Sequence, residues 1–249
     1  MATRRRIVTA ASLITSPILF AIAVAVASLS VRALMQFAAN ADIFDLAASI
    51  ENGAAPDADY LARFVASAGL DQASSDCGDP FTRASLTVNF AALEATTDAL
   101  DATLIDAAER NAVRAAEHRL SCNPLDGNAW LRYAMVQTRS KGLAASAIDA
   151  LRVSYWAAPS EGWIIEPRLA FATNLHLAGA TGFETEYLGD LRRFTSFEST
   201  SQVAAAYVAM SSQVRALFHP SIDAQAGKRK RAIVAEIDRL GVDYWREAQ

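Results

Sequence analysis

From Ile7 to Val31 the chain runs for 25 residues without one charged side chain, bounded by Arg4-Arg5-Arg6 before it and Arg32 after it. As an α-helix this run is about 37 Å long, enough to cross the ~30 Å hydrocarbon core of a bilayer with some tilt. The arginines ahead of it keep residues 1–6 on the cytoplasmic side and send the remainder across. Pro17 lies within the run, where membrane helices tolerate proline better than soluble ones do. The competing reading is a cleavable signal peptide, because Ala23, Ala25 and Ala27 are spaced like a small-residue cleavage site. Against it, the run exceeds the 7–15 residues of a signal h-region, and the helical pattern continues through Ala33, Leu34, Phe37, Phe44 and Leu46. The expectation is therefore an uncleaved transmembrane helix over 7–31, a helical stalk and linker over 32–80, and an exported domain over 81–249. Ala21, Ala23, Ala25 and Ala27 also form a small-residue face on which such a helix can associate laterally.

Charge narrows the partners. Setting aside Arg4, Arg5, Arg6 and Arg32 leaves 19 basic residues against all 27 acidic ones, a net −8 for residues 33–249. A surface of that sign does not attract nucleic acid. The local exception is Lys228-Arg229-Lys230-Arg231, read as a solvated helix start or loop, with contact to anionic lipid or polysaccharide as the alternative. Two cysteines, Cys77 and Cys122, stand 45 residues apart, each in a helix-flanking stretch. In an oxidising compartment a lone pair of this kind invites a disulfide, with free thiols as the other reading.

Outside the membrane run the apolar periodicity is helical throughout. Ala147, Ile148, Leu151 and Tyr155 make one stripe; Val203, Tyr207, Met210, Val214 and Leu217 make a second; Ile233, Ile237, Leu240 and Tyr244 make a third. No segment alternates apolar and polar residues over a strand's length, so the fold class is all-α. Alanine, about a fifth of the chain, fits that class as the strongest helix former. Its excess, and the use of 20 arginines against three lysines, is what a GC-rich genome produces. Breaks are expected at Asn52-Gly53, over Gly69–Pro80, near Thr96–Asp101, at Asn123-Pro124, near Gly142, at Pro159, over Gly179–Gly182 and at His219-Pro220. Thr195 or Ser196, with Glu198 following, reads as a helix N-cap.

Between Pro124 and Pro159 the residues take a specific register. Trp130 stands six residues after Pro124, Tyr133 and Ala134 follow one turn later, Gly142 supplies a turn, and Ala147, Leu151 and Pro159 complete a second helix. This pattern resembles the tetratricopeptide repeat, a helix–turn–helix unit near 34 residues long. Two departures are visible: the prolines are 35 apart, which places one extra residue around Arg139–Gly142, and Tyr133 occupies the family's Leu position. The resemblance implies close antiparallel packing through Ala134 and Ala147, with Trp130 filling the space between neighbouring hairpins. It extends weakly to residues 105–180, with Ala112 and Ala116 on the inner face of a preceding helix and Pro167 as an irregularity in the following one. It further implies an array that binds peptides or partner proteins. The stretch from Leu120 to Trp163 also resembles small anchored proteins that accompany exopolysaccharide polymerisation and export in Gram-negative bacteria.

Enzymatic motifs are missing from the sequence. His118, His176 and His219 have no second metal-type ligand at i+4, and there is no nucleophile elbow, phosphate loop or dinucleotide fingerprint. Carboxylate pairs such as Glu184/Glu186 and Asp98/Asp101 have ordinary helix-surface spacing. No cofactor and no metal are expected. The remaining candidate surface is aromatic and polar: Trp130, Arg132, Arg139, Trp163, Glu166 and Arg168, beside the run from Tyr155 to Trp163. Helical arrays bind through a concave face, and Trp and Tyr suit either protein partners or sugar rings. The functional expectation is a non-enzymatic, single-pass scaffold in a bacterial inner membrane, its exported domain meeting membrane-embedded or periplasmic partners, glycan included, in an envelope complex. The alternative is an envelope enzyme, a glycan hydrolase or thiol-redox protein, which requires two perturbed titratable groups in one cleft.

Overall fold

The computed structural model describes residues 4–70, 77–97 and 101–247 of the chain. Among these residues there are thirteen helices and no strand. The chain divides into two compact units, the first ending at Ala54 and the second beginning at Ala55.

The first unit holds α1 (Arg4–Ala39) and α2 (Ala41–Glu51). Within α1, Ile18–Ala39 is 22 residues of mean hydropathy 2.3 with none of it buried, long and apolar enough to cross a membrane. Two of its hydroxyls are satisfied within the helix, which suits a hydrocarbon setting: Ser28 and Ser30 donate to the Val24 and Val26 carbonyls at 2.7 and 2.8 Å. The helical pattern does continue past Val31, but not as one rod. At Asn40 (φ −110°, ψ 12°) the backbone leaves helical geometry, and α2 then runs to Glu51, capped by Asn52 and followed by Gly53 at φ 94°.

The second unit is a series of antiparallel helix pairs. Helix α3 (Ala58–Ser67) packs on α4 (Asp79–Ala95), which pairs with α5 (Ala102–Cys122). Next come the pairs α6 (Gly127–Lys141) with α7 (Ala145–Ala157) and α8 (Gly162–Leu177) with α9 (Glu184–Phe197). Helices α10 (Thr200–Ala209), α11 (Ser212–Asp223), α12 (Gly227–Arg239) and α13 (Tyr244–Glu247) close the end. Aspartates start several of these helices: Asp57, Asp101 and Asp126 accept hydrogen bonds from the amides of Tyr60, Thr103 and Ala129 at 2.7–2.9 Å. Each satisfies an amide that the helix itself leaves without a partner. Part of the turn expected near Thr96–Asp101, and Ser74, Ser75 and Asp76 of the loop before α4, lie outside the described residues.

The segment from Pro124 to Pro159 is a hairpin. Ala134, Ala147 and Leu151 have no exposed surface, and Gly142 makes the turn at φ 69°, a left-handed conformation that glycine reaches without strain. Trp130 is half-buried; its Nε1 donates to the Pro124 carbonyl at 2.8 Å and its ring meets Tyr133 edge-on. The closest seam is one the sequence pattern did not single out. A Cβ on Gly127 would lie 2.3 Å from the Ala158 Cβ, and the Ser154 hydroxyl donates to the Gly127 carbonyl at 2.7 Å. Gly127→Ala is accordingly expected to force the two ends of the hairpin apart and cost about 1–3 kcal/mol, read as a lowered denaturant midpoint.

Cys77 and Cys122 form a disulfide with their Cα atoms 5.3 Å apart, joining the approach to α4 to the end of α5. Arg119, 5% exposed, reinforces the same corner. Its guanidinium donates to Asp79 at 2.5 Å, to Thr82 at 2.8 Å and to Asp126 at 2.6 Å, tying α4, α5 and α6 together.

Several expected boundaries move. His219-Pro220 does not end a helix; Pro220 lies inside α11. The break comes earlier, at Met210–Ser211, so the stripe from Val203 to Leu217 belongs to two helices, α10 and α11. Thr195 and Ser196 are in the last turn of α9, where their hydroxyls return to Arg192 and Leu191 carbonyls. The cap of the next helix is Ser199, reciprocally bonded with Gln202 in a capping box. Leu240 is 41% exposed, while Tyr244 is buried from the separate short helix α13.

Candidate functional site

The first helices of three successive pairs, α4, α6 and α8, enclose a groove of about 470 Å³. Its floor is apolar: Phe90 and Leu93 from α4, Met135 from α6, Phe171 and Leu175 from α8, with Leu143 of the α6–α7 turn at one end. Its rim carries Glu94, Thr138, Arg139 and Asn174. Phe90, Leu93 and Leu175 are buried and form the back of the groove, while Leu143, 48% exposed, and the half-buried Met135 and Phe171 bring its apolar surface to solvent. A trough of this shape matches how helical arrays present a binding face, with anchors below and hydrogen-bonding groups at the edge.

One of the sequence-selected arginines, Arg139, lines this groove, and a second, Arg132, touches Phe90 of its floor. The Arg139 guanidinium is held by Glu109 at 3.2 Å and by the hydroxyls of Thr96 and Thr97 at 3.3 Å, which fixes its position on the rim. Arg132 is half-buried, stacks 5.1 Å from the centre of the Phe90 ring and donates to the Leu86 carbonyl. Trp163 is 58% exposed at the start of α8, and the guanidinium of Arg83 from α4 lies 5.8 Å from its ring. Glu166 is exposed on the same helix. Trp130 is engaged with its own loop, as described above.

Arg168 departs from the expectation that it lies near a binding surface, because it has no exposed surface at all. Its Nε and Nη2 form a fork to Asp190 at 2.6 and 3.1 Å, and its Nη1 donates to the Ser154 and Ala158 carbonyls at 2.9 and 3.1 Å. The guanidinium also lies 4.5 Å from the Tyr155 ring. Burial pushes the Asp190 carboxyl upward, while the bonds and charge of Arg168 pull the other way. Burial, and then the Asp190 charge, push the Tyr155 hydroxyl well above its usual range. Asp190 and its partner Arg168 have no side-chain surface open to solvent. Their role is to join α7, α8 and α9.

Two of the three histidines are also engaged in the fold. His219 is packed between the rings of Tyr207 and Tyr244 and meets the Tyr207 hydroxyl at 3.1 Å; His176 stacks on Tyr187. No cluster of three metal-type ligands occurs among the described residues.

Phe90, Leu93, Met135, Leu143 and Phe171 were not singled out from the sequence. In a helix array each inner helix buries more than one face, so a groove-lining apolar residue and a core residue leave the same periodic mark. The only local cue was that Leu143 sits in a turn, where an apolar side chain has little core to enter. No family model, no curated protein and no solved structure matches the chain.

Proposed function

We propose that this protein is a single-span membrane scaffold whose exported helical domain holds an apolar segment of a partner protein in the groove between α4, α6 and α8. The observation carrying the reading is that groove: an apolar floor built by three first helices, open to solvent and edged by fixed polar groups. The Pro124–Pro159 hairpin, with its glycine turn and its buried alanines, supports the tetratricopeptide resemblance, and arrays of that kind bind peptides. Export is supported by the arginines ahead of the apolar helix and by the Cys77–Cys122 disulfide, which persists in an oxidising compartment. The partner is a membrane-embedded or periplasmic component of an envelope complex, and exopolysaccharide polymerisation or export is the pathway that the weaker resemblance suggests.

The test is crosslinking pull-down of the intact protein from membranes, with a photoreactive residue at Asn174 on the rim. Recovery of one reproducible membrane-embedded or periplasmic protein is expected, a glycosyltransferase or polymerase if the pathway is right. Phe171→Asp removes a central apolar anchor, worth about 2 kcal/mol or more, and should lower recovery about 30-fold. Trp156→Ala, at a 72% exposed site outside the groove, should leave it unchanged. Equal recovery from wild type and Phe171→Asp sinks the assignment of the groove.

A further inference from the structure

The four consecutive basic residues fall in the first turn of α12, and the structure gives them unequal work. Arg229 donates from Nε to the Thr195 carbonyl at 2.8 Å and from Nη2 to the Glu198 carbonyl, satisfying the end of α9. Lys230 pairs with Asp223 at 2.8 Å. Lys228 and Arg231 are exposed and enter no salt bridge among the described residues. Their charge is unfavourably placed for the helix itself, since positive charge at a helix N-terminus opposes the helix dipole.

Two bare aromatic rings flank them. Phe197, between the two carbonyls that Arg229 holds, is 82% exposed, the most exposed large apolar side chain among the described residues. Trp245 is 55% exposed, with the Lys230 ammonium 4.9 Å from its ring centre. It is not a loose terminus: the neighbouring Tyr244 is buried, and its hydroxyl donates to Asp223 at 2.8 Å. Arg229 holds the carbonyls on either side of Phe197 and Lys230 lies on Trp245, so both exposed rings adjoin the first turn of α12, which also carries the two exposed cations.

We propose that this patch docks on an anionic phospholipid surface, with Phe197 and Trp245 entering the headgroup layer while Lys228 and Arg231 meet lipid phosphates. Tryptophan and phenylalanine beside lysine and arginine form the composition that lies in a bilayer interface. Charge complementarity is local: residues 33–249 carry a net −8, so an anionic bilayer repels most of the domain and attracts this patch. The chain's own apolar helix supplies the membrane at high local concentration, so weak contacts suffice. The site lies apart from the α4–α6–α8 groove and stands whether or not that groove binds a protein.

The experiment uses the full chain in nanodiscs, with and without phosphatidylglycerol, and brominated acyl chains as a quencher. The Trp245 signal is the difference between wild type and Trp245→Phe. Quenching of that signal is expected in phosphatidylglycerol discs and not in phosphatidylcholine discs. Each cation near an anionic surface contributes about 1 kcal/mol, so Lys228→Gln with Arg231→Gln should lower the docked-to-undocked ratio about 30-fold. Both sites are exposed and make no salt bridge among the described residues, so the melting temperature should not move. Quenching that survives the double substitution, or that is equal in both disc types, overturns the proposal. Binding of a soluble polyuronate by the patch, with no lipid quenching, overturns it in favour of a polysaccharide.

Discussion

Asp190→Ala is expected to destabilise the helical unit that begins at Ala55 by about 3–5 kcal/mol, because it leaves the Arg168 guanidinium buried without its counter-charge. Both side chains have zero exposure, and the fork between them is made at 2.6 and 3.1 Å. The remaining donor of Arg168 already serves the carbonyls of Ser154 and Ala158 at the end of α7, so it cannot swing to water without orphaning them. Arg168→Lys should also destabilise, since an ammonium cannot make the fork and reach both carbonyls together. Replacing both charges, Arg168→Met with Asp190→Leu, should be more stable than Asp190→Ala alone, because no unpaired charge then remains inside. Denaturant unfolding of the full chain in detergent measures all three. A loss below 1 kcal/mol for Asp190→Ala would mean that water reaches the pair and that α7, α8 and α9 do not close around it.

Reducing the Cys77–Cys122 disulfide is the second large effect expected. Loop-closure entropy for a bridge spanning 45 residues corresponds to about 4 kcal/mol. Cys77 is exposed, so a reductant can reach the bond in the folded state. Arg119 ties the same ends through Asp79, Thr82 and Asp126, so the corner should hold its geometry after reduction while its opening rate rises. Hydrogen exchange is the appropriate readout: protection should fall in α4 and α5 and stay unchanged in α10–α12. Cys77→Ser with Arg119→Ala should then loosen the α4–α5 pair outright. If Cys77→Ser alone changes neither stability nor exchange, the arginine network is sufficient to fix this corner.

Arginine gains a structural reason that composition did not supply. Arg168 serves the end of α7, Arg215 donates to the Tyr207 and Val208 carbonyls at the end of α10, and Arg229 closes the end of α9. A planar fork with five donors can satisfy two orphaned carbonyls together, whereas lysine's single ammonium on a flexible stem holds such a pair less well. A fold of many short helices therefore has its own use for arginine.

What the sequence determined by itself was local. The uncharged run and the glycine turn at Gly142 depend on residues close in the chain, and the alanine seam of the Pro124–Pro159 hairpin on two helices joined by that one turn. Their pattern carries the all-α class, the apolar N-terminal helix and the hairpin. The misplaced boundaries arose where a local signal was ambiguous: Pro220 sits in a helix that continues through it, and Thr195 bonds backward along α9 instead of forward as a cap. Tertiary structure alone decided which side chains are inside. Arg168 reads as a surface charge because its partners lie 14 and 10 residues before it and 22 after it, distances at which periodicity is silent. The groove has the same origin. Phe90, Met135 and Phe171 come from three helices, and only packing of those helices separates an apolar side chain that fills the core from one that lines an open trough.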